Sequence, residues 1–134
     1  MQNAIRIFNF DLREKVVGVW DENIPIVRHA VIECAGVESK LLQEDVFIKN
    51  LEEIANELNL HIVNKIVHTF SPQGQSIVFI LEESHLAVHT WPERGYVHVD
   101  MVTCSLDEMV LIKIADVFNN SFKPVSTRVI RFKY

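Results

Sequence analysis

The chain has 134 residues, 49% hydrophobic and 23% charged, with a formal net charge of -5, which bounds it to one domain able to bury a core. The acidic balance argues against a partner held through a phosphate backbone, so no nucleic acid is expected. With no run of eighteen apolar residues and no basic, apolar and small-residue sequence at the start, neither a membrane span nor a secretory signal is expected.

In chain order, Ile5, Ile7 and the Val16-Val17-Gly18-Val19-Trp20 run fit two short strands, a hairpin at the sheet edge. Val27 to Cys34 reads as a strand. Asp45 stands where an N-cap belongs, and Phe47, Leu51, Ile54, Ala55 and Leu58 come after it at helical spacing. His61 to Val67 is a second strand, and Ser71-Pro72-Gln73-Gly74 signals a turn. Ile77 to Leu81 is almost continuously apolar, as in a strand covered on both faces. Pro92-Glu93-Arg94-Gly95 precedes a strand from Tyr96 to Thr103.

Ser105 and Glu108 have the spacing of a capping box. Val110, Ile114, Val117 and Phe118 supply the stripe of the next helix, and Val125 to Phe132 closes the chain as a strand. The order from residue 27, β-α-β-β-β-α-β, predicts an α+β two-layer sandwich, a mainly antiparallel sheet with two helices on one face. The other face then needs cover, which a second subunit would supply.

Two cysteines, Cys34 and Cys104, without a CxxC motif read as free thiols. Six scattered histidines form neither HExxH nor a zinc-site spacing, so no metal is expected. The segment from Phe70 to Ser105 concentrates the reactive side chains: Glu82-Glu83-Ser84, then His89, then Thr90-Trp91-Pro92-Glu93, then Cys104. On spacing alone, a hydroxyl, an imidazole and a thiol that simply pack in strands explain these residues better than chemistry does.

The run ESHLAVHTWPERGYVHVDMVTC resembles the processing and active-site signature of the small prokaryotic class of S-adenosylmethionine decarboxylase proenzymes. HTFSPQGQS upstream and Arg28-His29 with Val31 to Glu33 resemble two further family segments, and the likeness covers roughly residues 28 to 132. The resemblance implies a single domain that cleaves itself into 1–83 and 84–134, with residues 1–26 an N-terminal extension. Ser84 Oγ would attack the Glu83 carbonyl to give an ester. His89 would remove the Ser84 α-proton, so that elimination releases the Glu83 carboxylate. Ser76 would assist this processing. Residue 84 would become a pyruvoyl group, which forms a Schiff base with the substrate amine in place of pyridoxal phosphate.

In the mature enzyme the resemblance makes Cys104 the proton donor to the substrate Cα, with S-adenosylmethionine as substrate. Phe70 and Trp91 would stack on the adenine or face the sulfonium, and Glu93 would bind the ribose hydroxyls. Core packing of Phe70 and Trp91 explains them equally well at this point. The resemblance further implies a homodimer of processed protomers, in the cytoplasm, that makes the aminopropyl donor for spermidine synthesis.

Three features depart from the family pattern: the N-terminal extension, Ala87 where a small hydroxyl is common, and His98 where a small residue is common. They leave two alternatives open. One is a pyruvoyl-dependent decarboxylase of a basic amino acid, arginine or ornithine. The other is an uncleaved, non-catalytic partner subunit.

Overall fold

The computed structural model describes residues 4–12 and 24–134. The described strands are β1 (Ile5–Asp11), β2 (Arg28–Ala35), β3 (Ile62–Thr69), β4 (Gln75–Leu81), β5 (Ser84–Trp91), β6 (Tyr96–Thr103) and β7 (Ser126–Lys133). The helices are α1 (Glu44–Glu57) and α2 (Val110–Phe122). All seven strands form one sheet in the order β1-β7-β2-β6-β5-β4-β3. β1 pairs with β7 in parallel and every other pairing is antiparallel.

Strand alternation builds the core. Successive side chains point to opposite faces, so Ala30 and Ile32, Ile77 and Phe79, Leu86 and Val88, and Val97 to Met101 at every second position are buried on one face. Both helices lie there: α1 through Phe47, Leu51, Ile54 and Ala55, α2 through Leu111, Ile114, Ala115, Phe118 and Phe122. Phe47 and Phe122 join the two helices with ring centroids 5.2 Å apart. Thr127, buried at the same layer, donates from its hydroxyl to Asn119 Oδ1 at 2.8 Å, so its polar group is satisfied.

The two-layer α+β sandwich is the expected architecture, with four differences. Ser84–Trp91 is a strand of its own, missing from the expected order because Glu82-Glu83 carries none of the usual hairpin-turn residues. β4 alternates rather than being covered on both faces: Ile77, Phe79 and Leu81 are buried, Val78 is half-buried and Ile80 exposed. Helix α1 begins at Glu44 after Gln43, so Asp45 lies in the first turn instead of capping it. The capping box does not form, because α2 starts later, after Met109. Ser105 Oγ instead accepts from the Asp107 N–H at 3.1 Å. Ile5 and Ile7 lie in β1 as expected, but β1 pairs with β7, and the Val16 to Trp20 run falls outside the described residues.

The face opposite the helices carries, among the described residues, a patch of Phe8, Phe10, Ile80, Val78, Ala87 and Val102 interleaved with polar side chains. Phe8 and Phe10 are about half exposed, at 45% and 51%. This open face holds much of the chemistry.

Candidate active site

Ser84 is the first residue of β5, joined to β4 by the two-residue turn Glu82-Glu83. Glu83 sits in the left-handed region with φ +56°, which costs a side-chain-bearing residue roughly 1–2 kcal/mol. The bond implied for cleavage thus comes directly after a strained residue. The Ser84 hydroxyl donates to Thr103 Oγ1 at 3.1 Å. Thr103 ends β6, and Cys104 is the next residue, exposed.

The other candidates gather at the opposite end of these strands. Ser76 and His89 are cross-strand partners in β4 and β5, with Ser76 Oγ 2.6 Å from His89 Nδ1. When Nδ1–H donates to that oxygen, Nε2 keeps the lone pair that a base requires. Trp91 is 6.3 Å from His89 between ring centroids and 39% exposed. Phe70, 49% exposed, stands where its N–H donates to Gly74 O in the turn before β4. Neither aromatic is core packing, so the bland explanation of both falls. Glu93 is exposed in the single turn Pro92–Arg94. That turn closes on Gly95 at φ +58°, where a Cβ would lie 2.8 Å from Val37 O; only glycine fits.

The structure therefore brings the candidates together as two groups, Glu83, Ser84 and Cys104 at one end and Ser76, His89, Phe70, Trp91 and Glu93 at the other. Five residues of strand separate Ser84 from His89, about 16 Å. They also point to opposite faces, since His89 shares the open face with Ser76 while Ser84 falls on the side of Leu86 and Val88. Within one chain His89 does not reach Ser84.

Two polar clusters were not anticipated from the sequence. His29 Nε2 donates to Asp100 Oδ1 at 2.7 Å, and His85 Nε2 lies 3.5 Å from Asp100 Oδ2. Glu33 accepts from Arg128 Nε at 2.6 Å and from the Tyr96 hydroxyl. The Arg128 guanidinium and the Tyr96 hydroxyl hold the Glu33 carboxyl below its usual range against the opposing effect of burial. Burial, with Glu33 adding to it, pushes the Tyr96 phenol upward. His98 and Asp100, alternating with the buried Val97, Val99 and Met101, were the available signal, but alternation alone does not say which strands meet. Burial likewise raises the Cys34 thiol to about 11, which marks it as core; Cys104 is the accessible thiol. No cluster of three or more metal-ligating side chains occurs among the described residues.

A sequence model of the family described as S-adenosylmethionine decarboxylase matches residues 28–133. The S-adenosylmethionine decarboxylase proenzyme of Archaeoglobus fulgidus is 33% identical over 102 residues, 75% of this chain and 90% of that protein. That of Moorella thermoacetica is 46% identical over 81 residues, 58% of this chain and 62% of the relative. The arginine decarboxylase proenzyme of Caldivirga maquilingensis is 40% identical over 92 residues, 66% and 68% of the two chains. Among solved structures, the adenosylmethionine decarboxylase of Aquifex aeolicus has the same fold, with TM-score 0.71 at 24% identity over 80% of this chain and 88% of that one. With the family match running from the first residue of β2 to the last of β7, the chain belongs to the S-adenosylmethionine decarboxylase family.

Proposed function

We propose that this chain is a proenzyme that cleaves itself between Glu83 and Ser84 and then decarboxylates S-adenosylmethionine through a pyruvoyl group formed from Ser84. The observation that carries this reading is the Glu83–Ser84 junction: a left-handed glutamate in a two-residue turn, then a serine whose hydroxyl is held by Thr103. The residues present fit the group, since it needs only Ser84 itself, an acyl leaving residue before it and a proton donor close by. Cys104, the residue after Thr103, is that donor. Once formed, the group supplies a carbonyl that condenses with the substrate amine and accepts the electron pair left when carbon dioxide departs.

The chain's own residues do the rest. Ser84 Oγ attacks the Glu83 carbonyl, transferring the acyl group from nitrogen to oxygen. His89 takes the Ser84 α-proton, oriented by Ser76, and the Glu83 carboxylate leaves. The dehydroalanine at residue 84 tautomerises to an imine, which water hydrolyses to the pyruvoyl carbonyl with release of ammonia. Cys104 delivers a proton to the substrate Cα during turnover. Trp91 and Phe70 supply faces for the purine or sulfonium, and Glu93 a carboxylate for the ribose.

His89 must reach residue 84, and one chain holds them about 16 Å apart on opposite faces. A homodimer joined through the open sheet faces would close the distance, since a two-fold axis can set the Ser76–His89 end of one copy over the Ser84–Cys104 end of the other. The proton that His89 takes is on Ser84 Cα, in the sheet itself, not on the side chain that faces the helices. The exposed patch around Phe8, Phe10 and Ile80 supports that interface. Two free cysteines fit a reducing, cytoplasmic setting, and the product would serve as the aminopropyl donor for spermidine synthesis.

An intact-mass spectrum of incubated protein, with release of labelled carbon dioxide from S-adenosylmethionine, arginine and ornithine, tests the reading. Fragments 1–83 and pyruvoyl-blocked 84–134, active on S-adenosylmethionine, are expected. Cleavage with turnover of arginine alone would favour the second reading, which the 40% identity to an arginine decarboxylase proenzyme supports. A persistent 15.5 kDa chain would remove the catalytic reading altogether.

A further inference from the structure

The first two residues of β2 hold the Ser84 end of the sheet from both sides. Arg28 pairs in register with Thr103, whose hydroxyl receives that of Ser84. Its side chain donates from Nε to Ser105 O at 2.8 Å and from Nη2 to Leu106 O at 3.3 Å. One guanidinium thus fastens two consecutive carbonyls of the loop that leaves β6 through Cys104. His29, pointing to the other face, donates to Asp100, which also faces His85, the neighbour of Ser84. The His29 ring lies against Phe132 with centroids 5.0 Å apart, so it enters from a packed position.

These contacts join residues that self-cleavage would place on different chains: Arg28 and His29 before the cut, His85, Asp100, Ser105 and Leu106 after it. Cleavage removes the covalent tether of β5 at residue 84, and Cys104 sits on a loop beyond the last strand pairing. Something must keep the new chain end and the thiol in register afterwards.

We propose that Arg28 and the His29–Asp100–His85 bridge form a two-sided clamp that positions residue 84 and Cys104 after cleavage, with Arg28 the positioning residue for Cys104. The inference rests on the self-processing reading. A proton donor is worth about 10²–10⁴-fold when placed, and a displacement of about 1 Å can cost 10²-fold. Loosening the Cys104 loop should therefore act on turnover and leave substrate binding and cleavage alone.

The test compares wild type, Arg28→Met, Arg28→Lys and Asp100→Ala. Four readouts apply: extent of cleavage by intact mass, kcat and KM with S-adenosylmethionine, the rate of Cys104 alkylation by iodoacetamide, and amide exchange across residues 84–88. Arg28→Met is expected to cleave fully, with kcat at least tenfold lower, KM within about threefold, and Cys104 alkylation changed at least threefold. Arg28→Lys, which reaches one carbonyl, should recover part of each loss. Asp100→Ala should speed exchange over residues 84–88 at least tenfold in the cleaved protein.

If Arg28→Met does not fold, Arg28→Lys decides by the same measures. Wild-type kcat and alkylation in the decisive Arg28 variant would overturn the clamp while wild-type cleavage kept the self-processing reading intact. Failure of the wild type to cleave would reject that reading instead.

Discussion

His89 and Ser84 share strand β5 yet face opposite sides of the sheet, five residues apart. At about 16 Å along the strand, His89 cannot take the Ser84 α-proton within one chain. A site shared between the two protomers of a dimer makes a direct prediction. Neither Ser84→Ala nor His89→Ala cleaves alone. Co-expressed, hybrids pair the serine of the His89→Ala chain with the histidine of the other chain. Intact-mass spectra should then show up to about half of the His89→Ala chains cut, as random two-fold pairing allows. If that chain stays whole in the mixture, the site lies within one protomer.

The two thiols separate cleanly. Cys34 is buried with its thiol raised to about 11, so at pH 8 it stays protonated and out of reach. Native protein should react with one equivalent of a thiol reagent at Cys104, and two after denaturation. Cys104→Ala should complete self-cleavage and lose about 10²–10⁴-fold in turnover, whereas Cys34→Ala should cost stability and leave the chemistry in place.

Glu83 occupies the left-handed region at φ +56°. In an uncleavable Ser84→Ala background, adding Glu83→Gly should stabilise the chain by about 1 kcal/mol, since glycine carries no Cβ penalty there. In the cleavable protein, Glu83→Gly should slow processing about two- to fivefold, because the relaxed turn no longer raises the ground state. Urea melts of the first pair and a mass time course of the second measure this. An unchanged or faster rate with glycine would mean that strain at Glu83 does not drive cleavage.

Two described carboxylates, Glu33 and the exposed Asp107, are held below their ordinary range, and Glu33 is the partly buried one. Its folded value lies below the ordinary 4.5, so its contribution is present above that pH and is lost as pH falls through the folded value. Arg128 is 56% exposed, so solvent screening keeps the pair's contribution small. Glu33→Gln should destabilise the chain at pH 7 in a denaturant melt, by an amount that shrinks as pH is lowered from 7 towards 3. A constant difference across that range would locate the contribution in packing instead.

Periodicity sufficed for most of the fold, because Phe47 to Leu58 and Tyr96 to Thr103 repeat at helical and strand spacing. It failed at Glu82-Glu83, where a hairpin turns without glycine or asparagine. It also failed at Ser105–Glu108, where Asp107 drew the serine into a local turn before the helix. The reactive side chains were legible through their motif, but their separation was not. That depends on the parity and distance between residues 84 and 89, which only strand registry fixes. The Asp100 bridge was hidden for the same reason, since His29, His85 and Asp100 are contributed by three different strands.

The strand order β1-β7-β2-β6-β5-β4-β3 interleaves strands from before the Glu83–Ser84 bond with strands from after it. β7 lies between β1 and β2, and β6-β5 between β2 and β4. Neither product of the proposed cut would own a continuous sheet, so neither is expected to fold alone. On the proposed self-cleavage, a precursor that folds as one molecule would become a mature enzyme that can be rebuilt only by the collision of two chains. Its refolding would then be second order in concentration, and its working lifetime would be set by how slowly the two chains come apart.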